Sequence, residues 1–237
     1  MEFVKTIEKD KYYWTWRDLP FLPYAWLDKK DLKNLPKPFF LTDIHPDCPI
    51  GFKTKEKDKY TNIIELPDSF EKIKIDNDLR KDLKRVEKKN PDLRIVLNEK
   101  DALDKSKKWF LELWKESKKD FDRRLHLWKK RCYTLSAYLK EELIAVHIAM
   151  QEKDCVYYFG CWWNRKYKNR SVPTFLLKKD IEDAIKRGMK YYDFEIGDES
   201  YKKKWGVIEK PTKYYAILNK ELADYLGVDE YIEFRDS

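Results

Sequence analysis

Residues 133–163 read YTLSAYLKEELIAVHIAMQEKDCVYYFGCWW, and this stretch decides the fold class. Its runs of β-branched and aromatic residues predict three strands, over 133–139, 143–151 and 155–163. Only the polar turn Lys140-Glu141-Glu142 separates the first two strands, and so short a connection favours antiparallel pairing. The sequence therefore predicts an antiparallel meander.

The flanking segments extend this meander into a mixed sheet. Downstream, Ser171 and Pro173 are typical of a helix start, and Gly188 is suited to its end. KYYDFEIG then reads as a strand, ESYKKKW as a short helix or turn, and TKYYAILN as a last strand. Upstream, DNDLRKDLKRVEKK predicts a basic helix, LRIVLN a strand, and a long amphipathic helix begins near Asp101. This order predicts an α/β (α+β) fold with a mixed, mostly antiparallel sheet flanked by helices.

The N-terminal part of the chain has a different composition. Six of the ten prolines lie there among Trp and Phe side chains, at positions 20, 23, 36, 38, 46 and 49. Such clustering disfavours long regular elements. We expect residues 1–60 to form an irregular, aromatic and proline-rich segment that packs on a main domain of residues 61–237.

Length and charge limit the class of protein. The chain has 237 residues, a net charge of +8 and 42% hydrophobic residues, which is typical of a globular protein with one substantial core. It has no run of eighteen apolar residues and no apolar signal-peptide region near Met1. We therefore expect a cytoplasmic protein with no membrane partner. Its Lys and Glu enrichment is typical of proteins from very hot habitats.

Cysteine and histidine are sparse and scattered. The four cysteines form no CxxC pair, and the three histidines, His45, His126 and His147, lie far apart in sequence. These spacings predict neither a metal site nor a disulfide framework. We expect His126 and His147 to be satisfied core or surface residues rather than catalytic groups.

The element order and one motif resemble a known superfamily. Residues 192–206, YDFEIGDESYKKKWG, closely resemble the "DF…GDExYKxxWG" signature of one branch of the GNAT-fold acyltransferases. That branch includes acyltransferases of polysaccharide-associated gene clusters and is kin to Fem-type enzymes, which use aminoacyl-tRNA. The segment ELPDSF…LRKDLKRVEKK resembles a second part of the same pattern. Over about residues 61–218, the resemblance implies a GNAT-like fold with acyl-CoA as co-substrate and no permanently bound cofactor.

One loop departs from the superfamily pattern. The loop before the crossover helix usually reads Q/R-x-x-G-x-G/A, and its backbone N–H groups bind the pyrophosphate of coenzyme A at the helix N-terminus. Residues 170–175 here read RSVPTF, so both glycines are missing and Pro173 has no N–H to donate. The helix N-terminus and nearby cations can still attract a polyphosphate. The residues predicted to bind the donor are Arg165, Lys168, Arg170, Ser171 and Thr174.

Candidate catalytic residues lie in and after the strand KYYDFEIG. Strand alternation would put Asp193 and Glu195 on one face, where two carboxylates in a cleft suit a general base or an ammonium-binding site. An exposed face, or pairing with lysines, is the simpler explanation of this pattern. The Tyr201 hydroxyl can protonate a leaving thiolate, and Lys202 can hold a phosphate or stabilise an oxyanion. YKKKW is otherwise a solvated basic turn.

The residues Asp198, Glu199 and Trp205 are predicted to bind substrate, although the two acidic residues could instead cap the following helix.

Three hypotheses for the function remain open. The first is an N-acyltransferase that moves an acyl group from acyl-CoA to an amine on a small molecule, sugar or peptide. The second is Fem-like aminoacyl transfer from charged tRNA, which the basic clusters favour. The third is a non-catalytic binding protein on a GNAT-like scaffold. Enzyme activity and oligomeric state are left undecided by the sequence.

Overall fold

The computed structural model describes residues 4–8, 11–15, 37, 39–44, 55–114, 118–197, 199–226 and 232–233. The chain divides into two compact units, which we describe separately. The first unit comprises residues 1–61 with 209–237, and the second comprises residues 62–208. The sequence-based division into residues 1–60 and 61–237 stays a prediction.

Strands and helices both occur along the described chain, with the following bounds. The strands are β1 (Val4–Glu8), β2 (Lys11–Thr15), β3 (Phe39–Ile44), β4 (Lys55–Glu65), β5 (Leu93–Leu97), β6 (Tyr133–Leu139), β7 (Glu142–Glu152), β8 (Cys155–Trp163), β9 (Tyr191–Ile196), β10 (Ile208–Leu218) and β11 (Ile232–Glu233). The helices are α1 (Asn77–Lys89), α2 (Lys100–Lys105), α3 (Lys107–Trp114), α4 (Lys118–Arg131), α5 (Val172–Lys186), α6 (Ser200–Lys203) and α7 (Lys220–Leu226). Two 3₁₀ turns span Phe70–Lys72 and Arg165–Arg170.

The first unit is built mainly of strands where it is described. Strand β2 pairs antiparallel with β1 and parallel with β3, and β10 pairs antiparallel with β3 and parallel with β11. Trp14 is the register partner of Phe39 in the pairing of β2 and β3. Residues 1–60 were expected to be irregular, but where they are described they form β1, β2, β3 and the start of β4. The six prolines behind that expectation lie outside the described residues.

The second unit contains the predicted meander and crossover. Its strands follow the order β9-β8-β7-β6-β5, with the end of β4 beside β9. The pairs β5–β6, β6–β7 and β7–β8 are antiparallel, whereas β8 and β9 pair parallel. The parallel pair follows from the crossover through α5, because a helix between two strands returns the chain in the same direction. The predicted mixed, mostly antiparallel sheet flanked by helices is confirmed.

Helices cover both faces of this sheet. Alternation along β7 sends Ala149 to a cluster with α1 and α5, and sends Val146 and Ile148 to a cluster with α2, α3 and α4. The two clusters have period-2 spacing on the same strand, as expected for a sheet that is buried on both sides. We call these the α1/α5 face and the α2–α4 face. No described helix is both long enough and apolar enough to cross a membrane.

Two local sequence signals had different outcomes. Helix α5 begins after Ser171 and is followed by Gly188 at φ 74°, so the predicted start and end are confirmed. The long helix expected from Asp101 to Trp114 is instead the two helices α2 and α3, and the basic stretch after it, where we expected turns, forms the helix α4. The break between α2 and α3 falls at Ser106, whose hydroxyl donates to the carbonyl of Leu103 and accepts a hydrogen bond from the Trp162 indole. A serine side chain that bonds to nearby backbone competes with helix continuation.

Candidate active site

A cavity of about 780 Å³ lies in the second unit, between the divergent parts of β8 and β9. The two strands pair only from Cys155 to Tyr157 on one side and from Tyr191 to Asp193 on the other. Beyond that point β8 continues along β7 through a register shift at Phe159, with Ile148 opposite Gly160 and Ala149 opposite Tyr158. A bulge of this kind bends a strand and changes its twist.

The cavity walls come from five parts of the second unit. They are one side of α1, the first turn of α5, the ends of β8 and β9, residues 199–205, and Leu113 of α3. Buried apolar side chains form part of this lining, namely Leu79, Val86, Leu177, Phe194 and Trp205. The charged and hydroxyl-bearing lining residues are Asp82, Arg85, Lys89, Tyr158, Ser171, Thr174, Glu195, Glu199, Tyr201, Lys202 and Lys204. The cavity therefore combines apolar surface with convergent polar groups, as ligand sites commonly do.

The end of β9 departs from regular strand geometry. Glu195 has φ 65°, a left-handed conformation that is uncommon for residues other than glycine. The side chain of Asn62 holds this turn, because its Nδ2 donates to the carbonyl oxygens of Glu195 and Gly197 at 3.0 and 2.8 Å. Asp193 accepts from the backbone N–H of Glu195 at 2.7 Å. Backbone strain that is supported in this way clusters at functional sites.

This turn separates the two carboxylates that strict alternation placed together. Glu195 lines the cavity beside Phe194, whereas Asp193 is fully buried and its carboxylate bonds to the backbone of the turn. The expectation that both carboxylates line one cleft does not hold for the described residues. Its physical reason is the left-handed Glu195, which changes the direction of the side chain.

Lys202 lies beside Glu199 and contacts the backbone of the turn at Glu195. Its side chain is 4% exposed, and its Nζ lies 2.7 Å from Glu199 Oε2 and 3.4 Å from the carbonyl oxygen of Glu195. Gly197 makes room for this pair, since a Cβ there would collide with the Glu199 carboxylate and lie 3.0 Å from Lys202 Nζ. Asp198, the third predicted acidic residue, lies outside the described residues.

Tyr201 presents a hydroxyl group to the cavity. It is 41% exposed, and its ring centroid lies 6.5 Å from that of Phe194. Partial burial, followed by the negative charges of Glu199 and Glu195, raises the pKa of Tyr201. The phenol therefore keeps its proton at neutral pH and is able to donate it. Trp205, predicted to bind substrate, follows α6 in sequence, is 2% exposed and lines the cavity.

The residues predicted to bind the donor divide into two groups. Ser171 and Thr174 line the cavity together with Pro173, so the first turn of α5 faces this space. Arg165 and Arg170 make other contacts. The Arg165 guanidinium lies 4.3 Å from the Trp163 ring centre, and Arg170 makes two hydrogen bonds to Asp92, at 2.7 and 3.2 Å. Lys168 is exposed in the 3₁₀ turn.

Helix α1 contributes two cationic side chains to the cavity. In the sequence they form part of a basic cluster whose place relative to the cavity is not predicted. Arg85 and Lys89 line the cavity, although Arg85 is also paired with Asp82. The end of α1 is fixed to the loop before α5, because Asn90 Nδ2 donates to the carbonyl of Arg170 at 2.8 Å. The apolar positions of α1 predict which side is buried, but no local pattern in the sequence shows that this helix docks on the loop before α5.

A buried polar cluster lies under the cavity wall on the α1/α5 face. His147 Nε2 is 2.8 Å from Asp180 Oδ2, and both side chains are fully buried. The hydroxyl groups of Tyr192 and Tyr133 donate to the same carboxylate at 2.6 and 2.8 Å. His147 is thus a hydrogen-bonded core residue, as expected, and Asp180 is the partner that sequence reasoning missed. Among the described residues, no group of His, Cys, Asp and Glu is arranged to hold a metal ion.

The meander, the crossover helix and a cavity between divergent parallel strands define a GNAT-like acyltransferase fold. Residues 74–203 match the model of the acetyltransferase (GNAT) domain family. This match spans more than half of the chain, and the chain belongs to that family. No curated protein sequence matches the chain.

Solved structures share this fold at low sequence identity. The structure of FemX is similar with a TM-score of 0.61 and 13% identity, covering 88% of this chain and 84% of FemX. The C-terminal DUF2156 domain of a protein described as a lysylphosphatidylglycerol synthetase, from Agrobacterium fabrum, gives 0.58 and 11%, covering 96% and 83%. L-PGS from Bacillus licheniformis gives 0.53 and 11%, covering 81% and 72%. At these identities the similarity concerns the fold alone.

Proposed function

We propose that this protein is an N-acyltransferase that moves an acyl group from acyl-CoA to an amine acceptor. One observation carries the proposal: Glu195, Tyr201 and Lys202 line the same cavity as the first turn of α5. A carboxylate, a protonated phenol and an ammonium group around one space are the groups that acyl transfer to an amine requires. Membership of the acetyltransferase (GNAT) domain family supports the reaction class.

The proposed reaction forms a C–N bond and breaks the thioester C–S bond. The Glu195 carboxylate binds the acceptor ammonium and takes one proton from it, so that the amine lone pair attacks the acyl carbon. Lys202 stabilises the oxyanion that develops on the carbonyl oxygen. As the C–S bond breaks, Tyr201 donates its proton to the thiolate, and the second amine proton returns to the phenolate. Glu195 then releases its proton to solvent, so the products are the amide, the free thiol and one proton. Asp193 acts from behind the turn, because its carboxylate fixes the backbone of Glu195.

Acceptor binding is proposed for the residues that follow β9. The Glu199 carboxylate is exposed enough to meet a second cationic group while it holds Lys202. Asp198 belongs to the same acidic sequence. Trp205 contributes an apolar wall, so an acceptor with an amine and an apolar or flat portion suits this side of the cavity.

Donor binding is proposed for the first turn of α5. Ser171 and Thr174 bring hydroxyl groups and the helix N-terminus to the cavity, and Lys89 adds a positive charge there. A helix N-terminus favours anions. The positive charges of Arg165, Lys168 and Arg170 attract the phosphates, in place of the backbone N–H groups that a glycine-rich loop would supply.

A second candidate keeps the fold and uses aminoacyl-tRNA as donor. Pro173 favours it, since this residue removes one N–H from the turn of α5 where the superfamily binds pyrophosphate. The resemblance to Fem-type enzymes, together with the similar fold of FemX, supports the same candidate. Its substrate would deliver an ester rather than a thioester carbonyl to the same carboxylate, phenol and ammonium groups.

Thermal unfolding with ligands distinguishes the two donors. Acetyl-CoA at about 100 times its Kd should stabilise the protein by about 2.7 kcal/mol, which corresponds to a rise in Tm of roughly 5–10 °C for a chain of this size. Thr174→Glu places a negative charge in the donor turn and should abolish the shift. The matched control is Lys186→Glu, at the exposed far end of α5, which should retain it.

No shift at millimolar acetyl-CoA would overturn the CoA proposal. Filter binding of charged tRNA then decides the alternative. A genuine tRNA site loses affinity steeply with added salt, because each neutralised phosphate releases counterions. Weak, salt-insensitive binding of tRNA combined with no CoA shift would contradict both candidates.

A further inference from the structure

The His147–Asp180 pair has a geometry that the proposed chemistry does not use. His147 lies on β7 and Asp180 on α5, and neither is among the residues that line the cavity. Asp180 accepts three hydrogen bonds, from His147, Tyr192 and Tyr133. Burial raises the pKa of Asp180, but the interaction with His147 and the two tyrosine hydroxyls outweigh burial and lower it. A charged carboxylate therefore sits within the core.

A buried charge of this kind is a poor source of stability. Removing charges from water costs several kcal/mol, and a well-packed apolar replacement often performs as well or better. Such a network nevertheless fixes the orientation of every group in it when all of its members are bonded. In His147, the Nδ1 atom is buried without a hydrogen-bond partner among the described residues, so the bond from Nε2 to Asp180 is the one that orients the ring.

The oriented imidazole supports a tyrosine of the cavity wall. The His147 and Tyr158 rings are stacked, with centroids 5.0 Å apart and planes 30° apart. Tyr158 and Tyr201 both line the cavity. Phe194 closes the arrangement, since its ring lies 5.8 Å from Tyr158 and 6.5 Å from Tyr201.

These contacts form one continuous path from the core to the reacting groups. The carboxylate of Asp180 orients His147, the imidazole supports Tyr158, and the Phe194 ring contacts both Tyr158 and Tyr201. Tyr201 is exposed and sits on the four-residue helix α6, so its own helix gives it little support. Its position depends on the Phe194 and Tyr158 rings beside it.

We propose that His147 and Asp180 are positioning residues, which hold Tyr158 and, through its contact with Phe194, place the Tyr201 hydroxyl at the acyl-transfer site. The kinetic consequence rests on the proposed function, whereas the structural consequence does not. A role in stability alone would predict weaker folding without any change at Tyr201. A positioning role predicts a change that disappears when the Tyr201 hydroxyl is absent.

Kinetic coupling tests this prediction. His147→Phe keeps a ring for stacking but loses the bond to Asp180, and His147→Gln keeps a donor for that bond. Release of free thiol from acetyl-CoA is measured with lysinamide as the amine, below the unfolding temperature of each variant. We expect His147→Phe to lower kcat about 10- to 100-fold with little change in KM for acetyl-CoA, because a misplaced catalytic group loses rate on this scale. His147→Gln should recover part of the loss.

The double variant His147→Phe/Tyr201→Phe provides the decisive comparison. If His147 acts through Tyr201, the double variant should be no slower than Tyr201→Phe alone. Independent losses that multiply would overturn the proposal. Ser106→Ala is the matched control, because it removes a buried hydrogen bond to Trp162 on the other face. It should leave kcat unchanged.

A spectroscopic measurement keeps the proposal testable if acetyl-CoA is not the donor. The protein is labelled with 3-fluorotyrosine, and the fluorine resonances of Tyr158 and Tyr201 are assigned from their loss in Tyr158→Phe and Tyr201→Phe. Asp180→Asn, which nearly preserves shape, should shift both resonances, whereas Ser106→Ala should shift neither. If Asp180→Asn shifts only Tyr133 and Tyr192, which contact the carboxylate directly, the positioning role is wrong even where the proposed function holds.

Discussion

The two faces of the second unit's sheet both pack apolar clusters, but the α1/α5 face also buries a charged network. On the α2–α4 face, Phe110 contacts Phe121 and Trp162 at ring distances of 5.0 and 5.1 Å. On the α1/α5 face, His147 and Asp180 are buried beside the cavity. The first face gains stability from apolar area and tolerates changes that conserve volume. The second contains charges whose partners cannot be removed singly without leaving an unsatisfied group.

This comparison separates groups that make the protein stable from groups that prepare a site. A stable core needs only the first kind of face. The cavity opens on the second face. There Glu195 has a left-handed backbone, and the buried residues Lys202 and Asp193 contact its backbone. The following predictions challenge that division, beginning with the largest expected effect.

Tyr201→Phe removes the proposed acid and should lower kcat by roughly 100- to 10,000-fold, the usual contribution of a general acid. Its Tm should change little because the side chain is partly exposed. Tyr138→Phe is the matched control. Its hydroxyl bonds to Glu99 outside the cavity, so it should lower stability without changing kcat. Equal rates for the two variants would remove Tyr201 from the mechanism.

Asp180→Ala should lower the free energy of unfolding by about 3–5 kcal/mol, since it leaves three buried partners without their acceptor. Leu103→Met, which nearly conserves volume on the opposite face, should cost less than about 1.5 kcal/mol. Urea denaturation of the two variants measures both effects. A loss at Asp180 no larger than at Leu103 would show that the two faces are energetically alike.

The acid limb of stability should also depend on Asp180. Its pKa is lowered in the folded protein, so its contribution is present above the unfolded value of about 3.9 and is lost as pH falls through the folded value. Between pH 5 and pH 2, wild-type stability should therefore fall more steeply than that of Asp180→Asn. Parallel curves in urea titrations over this range would contradict the assignment.

Gly197→Ala should destabilise the protein by about 1–3 kcal/mol, as expected for strained backbone, and should also disturb Lys202. Gly197 has φ 131°, and an added Cβ collides with Glu199. Gly188→Ala is the control, because its φ of 74° brings backbone strain while an added Cβ meets nothing within 4 Å. Both should lower Tm, but only Gly197→Ala should reduce turnover.

Local patterns predicted the parts of the fold that depend on neighbours in sequence. The runs of β-branched and aromatic residues predicted β6 to β8, and Ser171, Pro173 and Gly188 predicted the limits of α5. They failed at Ser106, where a long helix divides because one hydroxyl bonds to Trp162, which lies 56 residues away.

The candidate site was predicted in part for the same reason. Glu199, Tyr201 and Lys202 belong to one sequence motif, and all three line one cavity. The turn at Glu195 was missed because alternation assumes a regular strand, and Glu195 has a left-handed backbone. His147 and Asp180 lie 33 residues apart on different elements, so no local spacing connects them. Lys89 appeared only as part of a basic cluster.

Asn62 limits how far the N-terminus of this protein can be shortened for engineering. Its amide holds the carbonyl groups on both sides of the strained turn, yet it precedes the family match, which begins at residue 74. A fragment trimmed to the matched region would lose those two hydrogen bonds. The carboxylate of Glu195 would then sit on a released turn, and any minimal catalytic fragment must begin at or before residue 62.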